Sequence, residues 1–239
     1  MKIMMRLFLD GRNEKNPPCC CVAVVDQNQT TFVAAASLGT NSFCASTMEQ
    51  AVVQAIRAVH APNTSIEQRR TAGNFLEQFK NDPQACPQSV SLFAACPRDD
   101  ITMQHFFLHC IEHAIKNQWN NWDQEKKNWL KTNILSFATI EFDVLSPSRV
   151  IAEIIAKLLA ELAKRDWPQM WINFIPEVFN LMNVGYSQAS VAIRSLHMLA
   201  QDANSSEFNN CMPTKRRNEV LKGISTGLPD ILKTIYNVV

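Results

Sequence analysis

Residues 103–119 read M-Q-H-F-F-L-H-C-I-E-H-A-I-K-N-Q-W, and this stretch decides the fold. Met103, Phe106, Phe107, Cys110, Ile111, Ala114, Ile115 and Trp119 recur at three- and four-residue steps. On a helix they make one wide apolar stripe. At about 25 cal/mol per Å² of buried apolar area, such a stripe needs a second surface against it. The rest of the chain must supply that surface, and the opposite side is left to bind something else.

Working outward, helix follows helix, each with its own punctuation. Toward the N-terminus, Glu49 to His60 is amphipathic and stops near Pro62. Ser65 and Gln68 have the spacing of a capping box for a helix from Ile66 to Phe79, which Asn81, Asp82 and Pro83 end. A short piece, Gln88 to Ala95, lies between Pro87 and Pro97, and Asp99 or Asp100 caps the central helix. Toward the C-terminus, Asp123 caps a helix with Trp129, Leu130, Ile134, Phe137 and Ala138 inside. Ser146-Pro147 is a cap followed by a first-turn proline. It opens a stripe that runs from Val150 to Leu162. Pro168 is expected to end that helix and begin another through Trp171, Phe174, Val178 and Met182. Ser187 is expected to start the next, with Val191, Leu196 and Leu199. A polar loop, 204–210, precedes a last helix capped by Thr214.

These segments pair and repeat. First helices start at Asp100, Ser146 and Ser187, spaced 46 and 41 residues apart. The spacing is that of HEAT or armadillo repeats, ~40–47 residues. One helical hairpin cannot bury both faces, so neighbours stack. The expected fold is all-α, a right-handed α-solenoid of about four HEAT-type hairpins. The apolar end at Val238-Val239 suggests an N-terminal fragment of a longer superhelix.

Composition agrees: only six glycines, with many good helix formers. The net charge of +1 gives no global basic field for nucleic acid, and from Met48 onward basic and acidic residues balance. Little RNA contact is therefore expected from this stretch by itself. Cys19, Cys20 and Cys21 form one run and the other cysteines are isolated, which reads as reduced thiols. No apolar run reaches ~20 residues, and the start is a poor signal peptide. Residues 1–47 differ in character: C-C-V-A-V-V and T-T-F-V-A-A-A around D-Q-N-Q would suit a β-hairpin, or the stretch is an unstructured or wrongly assigned leader. The repeat domain is placed at 48–239.

Chemistry-bearing residues are few. His105, His109 and His113 share one helical face, and a pair of them could hold zinc given a third ligand. Glu112 is adjacent but off that face, no H-E-x-x-H is present, and a set of surface histidines is the plainer reading. Cys110 lies in the apolar stripe, where a thiol is inert. No phosphate-loop or nucleophile-elbow motif occurs, so neither enzyme, metal nor cofactor is expected. Lys215-Arg216-Arg217 is either a phosphate contact or a solvated first turn. Trp122, Trp167 and Trp171 sit at helix ends, where rings lock helix corners.

Three motifs in order carry a resemblance. R-R-T-A-G-N-F-L-E-Q-F-K (69–80) with Asp82-Pro83 comes first, then H-F-F-L-H-C-I-E-H-A-I-K-N-Q-W (105–119). L-L-A-E-L-A-K-R-D-W-P-Q-M-W (158–171) comes third. Residues 48–239 thereby resemble the N-terminal portion of the importin-β (karyopherin) superfamily. The resemblance implies a monomeric nuclear export receptor that shuttles between nucleus and cytoplasm and meets no membrane. Its partners would be Ran-GTP, nucleoporins, and RNA hairpins or RNA-binding proteins as cargo. It implies that the second helices of the pairs carry the Ran site, taken here as 66–80, 124–139 and 171–183. On their polar faces Gln78, Lys127, Lys131 and Asn173 are the expected contacts. The alternative is a HEAT scaffold that binds neither Ran nor RNA.

Overall fold

The computed structural model describes residues 43–143, 147–204 and 212–238. The leader as far as residue 42, the Ser146 cap and the loop beyond Asn204 lie outside the described residues. Nine α-helices are present among those described, and no strand. They are α1 (Phe43–His60), α2 (Ile66–Asn81), α3 (Ala85–Ala95), α4 (Ile101–Asn117) and α5 (Gln124–Ala138). After them come α6 (Arg149–Asp166), α7 (Phe174–Met182), α8 (Tyr186–Asn204) and α9 (Thr214–Val238). The fold is all-α, of HEAT-type helical hairpins. The first helix begins at Phe43, ahead of the boundary expected at Met48.

The capping chemistry forms as the sequence implies. Ser65 Oγ accepts from the Gln68 N–H at 3.2 Å, and Gln68 Oε1 accepts from the Ser65 N–H at 3.2 Å. Asp100 accepts from the Met103 N–H at 3.0 Å, and Asp123 from the Lys126 N–H at 2.7 Å. Each removes an otherwise orphaned donor from a helix start.

The pairing register differs from the expectation. α1 packs on α2, α3 on α4, α5 on α6 and α7 on α8, while α9 packs on α8 and α7. The element behind the shift is α3. It is a full first helix, burying Ala85, Cys86, Val90 and Phe93, and the Phe93 ring lies 4.5 Å from Phe137 of α5. Pro87 sits in its first turn, where a missing N–H costs nothing. The second helices are therefore α2, α4, α6 and α8, which succeed one another in a single layer. Residues 124–139 and 171–183, expected as second helices, are first helices.

Two helix starts also move. The helix expected to run on from Pro168 begins only at Phe174. A helix from 168 would carry Pro176 in its interior, where the ring clashes with the preceding turn. Starting at Phe174 puts Pro176 in the first turn, and residues 167–173 form a turn that opens on a cis Trp167–Pro168 bond. Ser187 lies within α8, and its buried hydroxyl accepts from the Phe142 N–H at 2.9 Å across the molecule.

The organising helix is α4. Its stripe is buried except for Phe106, which is partly covered beside Phe79; Gln104 and Leu108 are buried as well. Four helices beside it explain the extra width: α3 and α6, and to a lesser extent α1 and α2. The other core helix is α6, packed against α4, α5 and α8. Its Ala152, Ala156, Ala160 and Ala163 are buried among larger Ile and Leu side chains. Small residues let neighbouring helices approach closely while the larger ones fill the space between.

Candidate interaction surface

One edge of α6 is not apolar. Arg149, Glu153, Lys157, Glu161 and Arg165 recur every four residues, the spacing that puts side chains on one line. The line faces outward between α4 and α8 and bonds to both. Lys157 Nζ reaches Glu112 of α4 at 2.8 Å. Arg194 of α8 donates to Glu153 at 2.9 Å, and Lys164 reaches Asp202 of α8 at 2.7 Å.

Each glutamate on this face lies between two cations. Glu112 has Lys116 at 2.5 Å as well as Lys157; Glu153 has Arg149 at 3.0 Å as well as Arg194. Glu161 has Lys164 and Arg165. Burial disfavours the charge on Glu112, but hydrogen bonds and charge from Lys116 and Lys157 outweigh it and hold the carboxyl below its ordinary value. Glu161 behaves alike: burial raises it, and Lys164 and Arg165 lower it further. The hydrogen bond that Lys116 donates to Glu112 raises the Lys116 pKa against its own partial burial.

The histidines border this face. The His105 and His109 rings meet edge to face at 4.5 Å, and His109 Nδ1 lies 3.5 Å from Glu112. Burial lowers the His109 pKa, and neighbouring His105 adds to that. Among the described residues no group of three or more His, Cys, Asp or Glu is placed to hold a metal ion. Burial pushes the Cys110 thiol up to about 12, so it carries no thiolate at neutral pH.

The four residues expected to contact a partner do not share a face. Gln78 is exposed on α2, in the second-helix layer. Lys127 is on α5, its ammonium 5.6 Å from the Trp119 ring. Asn173 is exposed at the start of α7, beside a cleft of about 370 Å³ that Asn128, Gln169, Trp171 and Glu177 also line. Lys131 is not on a solvated face at all. It is 4% exposed, with Nζ 2.6 Å from Asp166 and donating to the Met170 carbonyl at 3.2 Å. Trp119 Nε1 donates to the other oxygen of Asp166 at 3.1 Å. Asp166 thus joins the end of α4, α5 and the turn after α6.

Of the basic triplet, Lys215 is exposed in the first turn of α9, but Arg216 follows neither reading. Arg216 is turned inward, donating to the carbonyls of Ala163, Lys164 and Trp167 at the C-terminal end of α6. A guanidinium there meets the negative end of the helix, sharing the Ala163 carbonyl with the Trp167 N–H. The tryptophans do lock corners: Trp119 bonds Asp166, and Trp171 bonds Glu177 at 2.7 Å.

Sequence reasoning passed over Arg149, Glu153, Lys157, Glu161 and Arg165. Their alternating charge at four-residue steps was the available signal.

The comparisons with known proteins fall on the same helices. The family model "Importin-beta N-terminal domain" matches residues 72–139, and the model "Exportin 1-like protein" matches residues 148–239. Exportin-5 of Dictyostelium discoideum is 23% identical over 189 residues, covering 78% of this chain and 16% of that protein. Exportin-5 of Homo sapiens is 26% identical over 189 residues, covering 78% of this chain and 15% of that protein. Protein MSN5 of Saccharomyces cerevisiae is 25% identical over 173 residues, covering 66% of this chain and 14% of that protein. The chain spans only about 14–16% of the length of these relatives. The two family models follow each other along the helices that form the layered fold, and the chain is an exportin-5-like member of the importin-β superfamily.

Proposed function

We propose that the chain is part of a nuclear export receptor, and that its second-helix layer docks Ran in the GTP form. The observation that carries the reading is the tandem of two transport-receptor family models over a layer whose outer edge is charged. The GTPase switch segments are ordered only with the γ-phosphate present, so a receptor gripping them reads the nucleotide without catalysis of its own. On this reading Gln78 stays a contact, and Lys116, Lys157, Arg149 and Arg194 join it. Lys127 and Asn173, on the first-helix layer, form the competing set, while Lys131 is enclosed against Asp166 and drops out. Cargo would be RNA hairpins or proteins that bind double-stranded RNA, and nucleoporins would carry the complex through the pore. The receptor would act as a monomer that shuttles between nucleus and cytoplasm. The repeat domain would begin at α1, with the leader outside it.

The test is binding of the chain to Ran loaded with GTP and, separately, with GDP. A clear preference for the GTP form is expected, weakened more by Lys157→Gln than by Lys127→Gln. Equal binding to both forms, or none by a chain that circular dichroism shows to be helical, would leave the scaffold reading in its place.

A further inference from the structure

We infer that the charged face of α4, α6 and α8 receives the acidic surface of a folded partner protein. The inference takes from the proposed function only the face, and adds the chemistry of what docks on it.

The charges are layered by depth. The carboxylates of Glu112 and Glu161 are nearly buried, with side chains 6% and 10% exposed. Over Glu112 the cations reach water, with Lys116 and Lys157 each 45% exposed, and Arg149 beside Glu153 is 54% exposed; over Glu161 they are more enclosed, Lys164 at 16% and Arg165 at 23%. With six cations on four carboxylates, two of the carboxylates nearly buried, the face presents mostly positive charge to a partner. Each glutamate holds two cations where one would satisfy its charge. Lys has three donors and Arg five, so each cation keeps N–H groups to spare after its internal bond. An incoming carboxylate can take those donors without displacing the glutamate beneath.

Magnitude decides between a protein and a nucleic acid. From Arg149 to Arg165 the line runs roughly 24 Å at ~1.5 Å per residue. Six cations along it face Glu112, Glu153, Glu161 and Asp202, an excess of two. A duplex, with one charge per ~1.7 Å of axis, brings about fourteen charges over that length. Most of them would have no counter-charge, and some would face the carboxylates. A protein surface offering a few spaced carboxylates matches the excess.

The experiment uses the full chain and the double variant Lys116→Gln/Arg149→Gln. The variant leaves Glu112 with Lys157 and Glu153 with Arg194, so no carboxylate loses both partners. Lys222→Gln/Lys233→Gln, both exposed on α9, is the control with the same charge change. Three probes are used: poly-L-glutamate, an RNA duplex and Ran-GTP. Polyglutamate is expected to bind the chain and the control alike, to weaken with salt, and to lose about tenfold in the double variant. Absence of polyglutamate binding, or equal binding by the double variant, overturns the inference. Tighter binding of the duplex through the same residues overturns it in favour of nucleic acid. If Ran-GTP binds the chain and the double variant equally, the GTPase reading survives and the acidic contact on this face falls. If Ran-GTP binds neither while the polyglutamate response holds, the GTPase reading falls and the acidic-partner inference stands.

Discussion

Two ionic sites lie along α6, one at its C-terminal end and one along its outer edge. Asp166 meets Lys131 at 2.6 Å, and Glu112 meets Lys157 at 2.8 Å, so by distance the two pairs are alike. The difference is the cation. Lys131 is enclosed, held by a carbonyl and lying 5.5 Å from the Trp171 ring, whereas Lys157 keeps nearly half its surface in water. A cation with no donor left to offer holds helices together. A cation with donors in solvent can do that and greet a partner. Ion-pair geometry alone does not separate a structural site from a binding site; the exposure of the cation does.

The comparison breaks first if the enclosed pair is dispensable. Lys131→Met strands Asp166 without its cation, and a loss of about 3–5 kcal/mol in unfolding free energy is expected from urea denaturation. A loss below ~1 kcal/mol would place both pairs in one class. Next comes Arg216, the other inward cation. Arg216→Ala leaves the end of α6 without its donor, and should cost about 2 kcal/mol. The loss should appear in hydrogen exchange as earlier opening of α9 while α4 and α6 keep their protection.

The open face is predicted to answer to pH rather than to truncation. Glu112 and Glu161 have folded-state values below the ordinary 4.5, so their stabilisation is complete above that value. It is lost as pH falls below 4.5 through the lower folded values. Glu112→Gln should cost about 1 kcal/mol at neutral pH and make the acid-side decline shallower. An unchanged acid limb would mean that this carboxylate does not titrate with folding. The smallest effect is reserved for the exposed cation: Lys116→Gln should change stability by no more than about 0.5 kcal/mol while lowering affinity for an acidic probe.

The helices were largely legible because their signals are local. Ser65 with Gln68, Asp100 and Asp123 are caps whose partners lie three residues away, and the stripe of α4 needs only its own period. The register of pairing was not legible. It turned on α3, which the sequence marks only as a short piece from Gln88 to Ala95 between two prolines; its packing on α4 and Phe93 against Phe137 reveal a first helix. Lys131 failed for a related reason. Beside the stripe of α5 it looks like a solvated flank, but the cover over it comes from Asp166 and Met170, distant in sequence. The outer edge of α6 was readable and passed over, because a charge alternation resembles any solvated helix until both neighbouring helices are seen to bond to it.

Gly223 of α9 faces the indole of Trp167, and a Cβ there would overlap the ring. The spacing of that helix against the turn is thus set by an atom that is missing. In evolutionary terms the two positions are bound as one character. Position 223 can accept a side chain only where position 167 has surrendered its large ring, and descendants of this chain should change the two together or neither.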